Sequence, residues 1–284
     1  MKKFFLLVAF LQAGVLFAQT GSEIILFDLK IKKGIVQVKN GQNITNHVGY
    51  DNQPSFHTDK PLLYYASFNS EGRSDLKSYN FKSKVTENVT LTSEREYSPT
   101  LTPDKNFISC IIQRDNNAQD LGKYPVTGGE PSVIIDNLIV GYHVWADNSH
   151  LGLFILGDPN TLHFLRLPTK EDTVIAENIG RSLHRIPGQR AISFVHKVSE
   201  KEWLIKKLDT ETMQVSTLGT TLPGREDITW SPNGMLFSSD GEKLYWLDGT
   251  NWRLIELPAV PALKGITRLA INAKGDKLAV VITE

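Results

Sequence analysis

The chain has 284 residues, with 31 Lys and Arg against 31 Asp and Glu, and a single cysteine, Cys110. A charge balance of this kind offers no general attraction to nucleic acid or to an anionic membrane surface. One cysteine excludes a disulfide framework and any CxxC metal site, and its neighbours Phe107, Ile108, Ile111 and Ile112 mark it as a packed small hydrophobe.

The chain begins MKKFFLLVAFLQAGVLFA, with Lys2 and Lys3 ahead of a continuous apolar run and a small residue at Ala18. This pattern predicts a secretory signal over residues 1–18, cleaved after Ala18, and therefore a periplasmic or secreted protein. Residues 19–284 form the mature domain, with a net charge near −2 once the two signal lysines are gone. No later run reaches the roughly 20 apolar residues a membrane-spanning helix needs.

Two β-rich runs follow, SEIILFDLK and GIVQVKN, and after them a repeat begins. Its copies are PSFHTDKPLLYY from Pro54, PTLTPDKNFISC from Pro99, HVWADNSHLGLF from His143, HRIPGQRAISF from His184, ITWSPNGMLFSS from Ile228 and LAINAKGDKLAVV from Leu269. Each is a short apolar segment, a turn rich in Pro, Asp, Asn or Gly, and a stronger β run. The apolar anchors Phe56, Leu101, Trp145, Ile186, Trp230 and Ile271 are spaced by 45, 44, 41, 44 and 41 residues, a period that belongs to propeller blades.

Four strands fit between anchors. In the fifth copy they read DITWS, GMLFSS, KLYWLDG and NWRLIEL, separated by short turns whose Asp and Gly close hairpins. After Ile271 there is room for only one more strand, DKLAVVITE, so the sixth blade lacks its outer pair. The two early runs can supply it. The expected fold is therefore an all-β, six-bladed propeller of four-stranded antiparallel blades, closed two-plus-two by strands from both ends, which removes open sheet edges.

The stretch LKSYNFKSKVTENVTLTSEREYSPTLTPDK, in which a Leu-Thr at the end of one blade leads to Ser-Pro, an apolar residue and Pro-Asp-Lys, resembles the repeat of TolB-type propellers. TWSPNGMLFSS is similar, with Asn233 at the aspartate position, whereas HVWADNSH and HRIPGQRA lack the Pro-Asp-Gly core. The N-terminal helical domain of TolB has no expected counterpart. The resemblance implies an exported propeller; proteins of this repeat class include binding surfaces, glycan lyases, lactonases and the propeller halves of peptidases.

Local catalytic motifs are absent from the sequence: no G-x-S-x-G, HExxH, phosphate-binding loop or dinucleotide fingerprint occurs. No catalytic residue, metal ligand or cofactor is assigned. Candidate binding positions come from the repeat register instead. Three residues before the anchors stand Gln53, Ser98, Tyr142, Leu183, Asp227 and Arg268, and two residues before them stand His143 and His184. Strand alternation turns one of these two sets toward the axis without indicating which. Asp227 and Arg268, on adjacent blades, are positioned to pair. The ligand- or partner-binding candidates are thus Gln53, Ser98, Tyr142, His143, His184, Asp227 and Arg268. His47, in the loop before the first blade, is a further imidazole that could approach them.

RDNNAQDLG, residues 114–122, has the acidic density of a calcium loop but neither the Gly nor the distal Glu of an EF-hand, and reads as a solvated loop. Trp203, Trp230, Trp246 and Trp252 read as wedges between blades. The longer loops SFNSEGRS, RDNNAQDLG, GTTLPGRE and PAVPALKG fall on one face, which makes that face the expected binding side. The expected function is a monomeric, exported, non-enzymatic scaffold for a protein or cell-envelope component. A metal-dependent lyase- or lactonase-type enzyme and a small-ligand or sugar sensor are the alternatives.

Overall fold

The structure, a computed structural model, describes residues 21–32, 34–257 and 263–283. The proposed signal segment and most of PAVPALKG lie outside the described residues. Among the described residues all regular elements are strands, and they form six four-stranded antiparallel sheets.

The sheets are the predicted blades. Blade one runs from its inner strand Asp51–Phe56 through Leu62–Phe68 and Ser74–Asn80 to Val85–Asn88. The inner strands of blades two to five are Arg95–Leu101, Val140–Trp145, Ile179–Arg185 and Ile228–Trp230. Blade six combines Arg268–Ile271 and Lys277–Thr283 from the end of the chain with Ser22–Lys32 and Ile35–Asn43 from its beginning. Ser22 pairs with Thr283 and Asp28 with Lys277 in an antiparallel ladder, so the two-plus-two closure is the one expected.

The apolar core is divided into six clusters, one at each seam between neighbouring blades. At the closing seam Ile24, Leu26, Ala279 and Val281 of blade six meet Leu63, Tyr65 and Tyr79 of blade one. At the next, Tyr64, Ala66 and Leu76 meet Leu101, Ile108, Cys110 and Ile112. Cys110 is fully buried there, and burial drives its thiol well above the ordinary range, which makes it a packing group and an inert thiol.

Gly152 shows how tight a seam is: a Cβ at this position would stand 2.6 Å from Cδ1 of Ile192 in blade four and 3.0 Å from Cγ1 of Val144. Gly152→Ala is expected to destabilise the fold by about 1–3 kcal/mol through overpacking. Urea unfolding measures this directly; unchanged stability would mean that Ile192 can turn aside at no cost.

The repeat also has a common turn chemistry. In blade two the Thr102 hydroxyl donates to Asp104 (2.5 Å), and Asp104 accepts from the Asn106 amide (3.1 Å). In blade five the Ser231 hydroxyl donates to Asn233 (2.5 Å), and Gly234 takes a left-handed φ of 82°. Blade three lacks the Pro-Asp-Gly core, yet Asp147 accepts from the Ser149 and His150 amides (2.7 and 2.9 Å). Side-chain oxygens that bond local hydroxyl or amide donors hold each of these turns, and several spellings supply them.

Candidate binding cavity on the ring axis

The six inner strands surround a cavity of about 630 Å³. All seven candidate residues, Gln53, Ser98, Tyr142, His143, His184, Asp227 and Arg268, line it. The wall continues into the turns after the inner strands, through Thr58, Pro187, Gly188, Pro232 and Ala273. Among the described residues, none of the long loops expected to form the binding side contributes to this lining. The cavity is therefore built by inner strands and short first-hairpin turns, away from the described parts of the long loops.

The long loops hold much of their charge in internal pairs. Asp115 accepts from Arg73 and Arg95 (3.1 and 3.0 Å), and Arg114 bridges Asp120 and Glu94 (2.9 and 3.1 Å). In RDNNAQDLG both carboxylates are thus engaged by guanidinium groups. The tryptophans serve the seams as expected: Trp230 Nε1 donates to Ser193 of blade four (2.9 Å), and Trp252 Nε1 to the Thr220 carbonyl (3.0 Å).

Both candidate sets reach the wall in every kind of inner strand, including the unshifted ones, where Asp227 and Ile228, and Arg268 and Leu269, line it side by side. The inner strands of blades one to four each contain a register shift: between Asn52 and Ser55, Tyr97 and Thr100, Val140 and Tyr142, and Ile179 and Leu183. An unpaired extra residue interrupts strict alternation and re-aims the side chains around it. Gln53 and Ser98 sit at the first two shifts with left-handed φ values of 58° and 54°. For residues with a Cβ this conformation is strained. A bond between the blades holds it in place, with the Ser98 amide donating to Gln53 Oε1 (2.7 Å).

The expected pair between Asp227 and Arg268 forms, with Arg268 Nη1 donating to Asp227 Oδ1 at 2.7 Å. It belongs to a larger network. Arg268 Nη2 donates to the Tyr142 hydroxyl (2.9 Å), a bond that crosses the axis from blade six to blade three. Arg181 of blade four donates to Asp227 Oδ2 through Nη2 (2.9 Å), and its Nη2 also reaches the Thr267 carbonyl (3.4 Å). Beside it, Glu226 receives Lys197 (3.1 Å) and lies 3.6 Å from Arg181. Burial opposes the charge on Arg181, yet the Asp227 carboxylate next to it keeps the guanidinium firmly protonated. Of the charged groups in this network, Arg181, Arg268 and Asp227 line the cavity, an excess of one positive charge.

Arg181 was not among the sequence candidates. The repeat register points to Leu183, which lines the cavity while packing into the seam between blades three and four. The register shift between Ile179 and Leu183 brings Arg181 to the wall as well, and nothing in the repeat register of the strand IGRSLHR singles it out from Arg185.

The histidines do not converge. His143 Nε2 bonds to the Ser109 hydroxyl of blade two (2.7 Å), which also accepts from Trp145 Nε1 (2.9 Å). His184 Nε2 bonds to the Ser182 hydroxyl (3.0 Å). Burial pushes both imidazoles down to about 4, so both are neutral near pH 7. Among the described residues neither shares a three-ligand cluster with another imidazole or carboxylate. His47 lies away from them, beside Asp51 at 2.7 Å.

Ring size, blade order, two-plus-two closure and a polar axial cavity together define a six-bladed propeller of the TolB-like fold. No protein-family model and no curated protein sequence matches the chain. Among solved structures it is similar to a TolB candidate from Agrobacterium tumefaciens, at 16% identity and a TM-score of 0.72, covering 94% of this chain and 99% of that one. TolB from Acinetobacter baumannii is similar at 13% identity and a TM-score of 0.58, covering 92% of this chain and 64% of that one. An oligogalacturonate lyase in complex with manganese is similar at 16% identity and a TM-score of 0.54, covering 91% and 78%. At these identities the likeness establishes the fold, which is shared by proteins of different function.

Proposed function

We propose that this chain is an exported, monomeric, non-catalytic propeller that binds a segment of a protein or cell-envelope component in its axial cavity. The observation that carries this reading is the cross-axis network: Arg268, Arg181 and Asp227 with Tyr142 form a fixed polar floor with one excess positive charge. Such a floor suits an acidic side chain or a terminal carboxylate, which Arg can engage bidentately. A segment entering past the first-hairpin turns would place its acidic group there. Export rests on the basic, apolar and small-residue pattern of residues 1–18.

The reactive groups of the cavity are also committed to one another. Both histidines bond to serines within the fold, and the Ser109 hydroxyl beside His143 is buried. An array of acidic and neutral decapeptides, read by fluorescence anisotropy with purified mature protein, tests the proposal. Saturable binding of acidic peptides is expected, weakened about tenfold or more by Arg268→Gln, the scale of a lost charge-assisted bond. Equal binding of acidic and neutral peptides, or an unchanged Kd in the variant, would refute the floor as the recognition element. Turnover of an offered glycan or lactone would favour the enzyme alternative.

A further inference from the structure

We propose that Glu23, His47 and Asp51 form a binding site for a divalent transition metal ion, zinc being the best fit, at the seam where the ring closes. Glu23 lies on the first strand of the chain, which belongs to blade six, and Asp51 opens the inner strand of blade one. His47 is in the connection between them. One ligand atom from each lies within 4.8 Å of the others.

Two independent features point to an ion. Asp51 is 1% exposed, yet its Oδ2 has no hydrogen-bond partner. His47 Nδ1 is 2.7 Å away and is likewise without a partner of hydrogen-bond geometry. Two buried lone-pair atoms that converge without a well-formed hydrogen bond are arranged as ligands of a shared cation would be. The second feature is the support around Glu23. Its carboxylate accepts from the Asn46 amide (2.6 Å), the His47 amide (2.9 Å) and the Thr45 hydroxyl. Asn46 takes a left-handed φ of 44°, which turns the connection back onto Glu23. Outer bonds of this type orient metal ligands.

The donor set decides the class of ion. One imidazole with two carboxylates suits zinc, bound at roughly 2.0–2.2 Å from each donor, and suits calcium poorly because calcium prefers more oxygen donors. Two donors of one tetrahedral zinc stand about 3.3 Å apart, so binding requires His47 Nδ1 to move slightly out from Asp51 Oδ2, now 2.7 Å away, and the half-exposed His47 side chain has room to do so. A water or a partner's donor would fill the fourth position. An ion there would hold the first strand of blade six, the connection and the inner strand of blade one together beside the N- and C-terminal ladder that closes the ring.

The test uses untagged mature protein, stripped with chelator and dialysed, titrated with zinc against a chromophoric zinc chelator. One equivalent of zinc is expected to bind. At zinc about a hundredfold above its Kd, Tm should rise by roughly 5 °C. His47→Ala should weaken binding at least tenfold and abolish the rise in Tm. His150→Ala, on the turn of blade three, should change neither. Circular dichroism checks the fold of each variant; if His47→Ala does not fold, Glu23→Gln decides by the same two readouts. No saturable uptake by the wild type, or uptake and stabilisation unchanged in the folded variant, overturns the site. Peptide binding in the axial cavity is read separately and does not depend on this outcome.

Discussion

Asp227→Ala is expected to destabilise the protein by about 2–3 kcal/mol, and so to lower Tm by roughly 5–10 °C. The reason is the charge left behind. Asp227 is the acceptor for Arg268 at 2.7 Å and for Arg181 at 2.9 Å, and the three side chains are only 16–32% exposed. Removing the carboxylate leaves two guanidinium groups facing each other in a partly dry cavity, where their repulsion is weakly screened. The loss is placed below that of a fully buried ion pair because solvent reaches all three groups. Asp227→Asn keeps an acceptor oxygen and should cost less. In the double variant Asp227→Ala with Arg268→Met, one unpaired charge is removed with the carboxylate, and part of the stability should return. Thermal and urea unfolding of the four proteins give the coupling between the two positions. Strictly additive effects would show that the pair contributes nothing as a pair.

Lowering the pH should weaken the fold between about 6.5 and 4, with His143 as a principal cause. Burial holds its folded-state pKa at about 4, whereas the unfolded residue titrates near 6.5. Above pH 6.5 the imidazole is neutral in both states and the full stability is present. As pH falls from there toward 4, the unfolded chain takes up a proton that the folded chain refuses, and stability is lost. The loss attributable to His143 is about 3 kcal/mol by pH 4. His184 acts in the same direction. Its burial is the main cause, with Arg268 adding to the depression and Asp227 opposing it. Glu96 and Asp51 work the other way, because burial raises their carboxyls and favours the folded state as they protonate. His143→Gln retains a polar group beside Ser109 and removes the titration. Urea unfolding at pH 7 and pH 4.5 should show a smaller difference in the variant than in the wild type. Equal differences would assign the acid sensitivity elsewhere.

The repeat register is what separates the legible from the illegible part of the site. The anchors Phe56, Leu101, Trp145, Ile186, Trp230 and Ile271 identify the blades because each blade must repeat the same short strand, capped turn and buried strand. The pair Asp227 and Arg268 was legible for the same reason, since blades five and six keep unshifted inner strands. In blade four, where the register shifts between Ile179 and Leu183, Arg181 joins Leu183 on the cavity wall.

The sequence alone determined the number of blades and the two-plus-two closure, because period and strand count are local properties of the chain. It also located the inner-strand residues that could meet on the axis. The tertiary structure decided which of them do meet, and it placed the cavity wall among the short hairpin turns, away from the described parts of the long loops. It brought Tyr142 and Arg268 together across the ring, although they are 126 residues apart. It likewise gathered Glu23, His47 and Asp51 at the closing seam. No repeat period relates such positions, since bulges and ring closure are set by contacts between blades that a one-dimensional pattern does not contain.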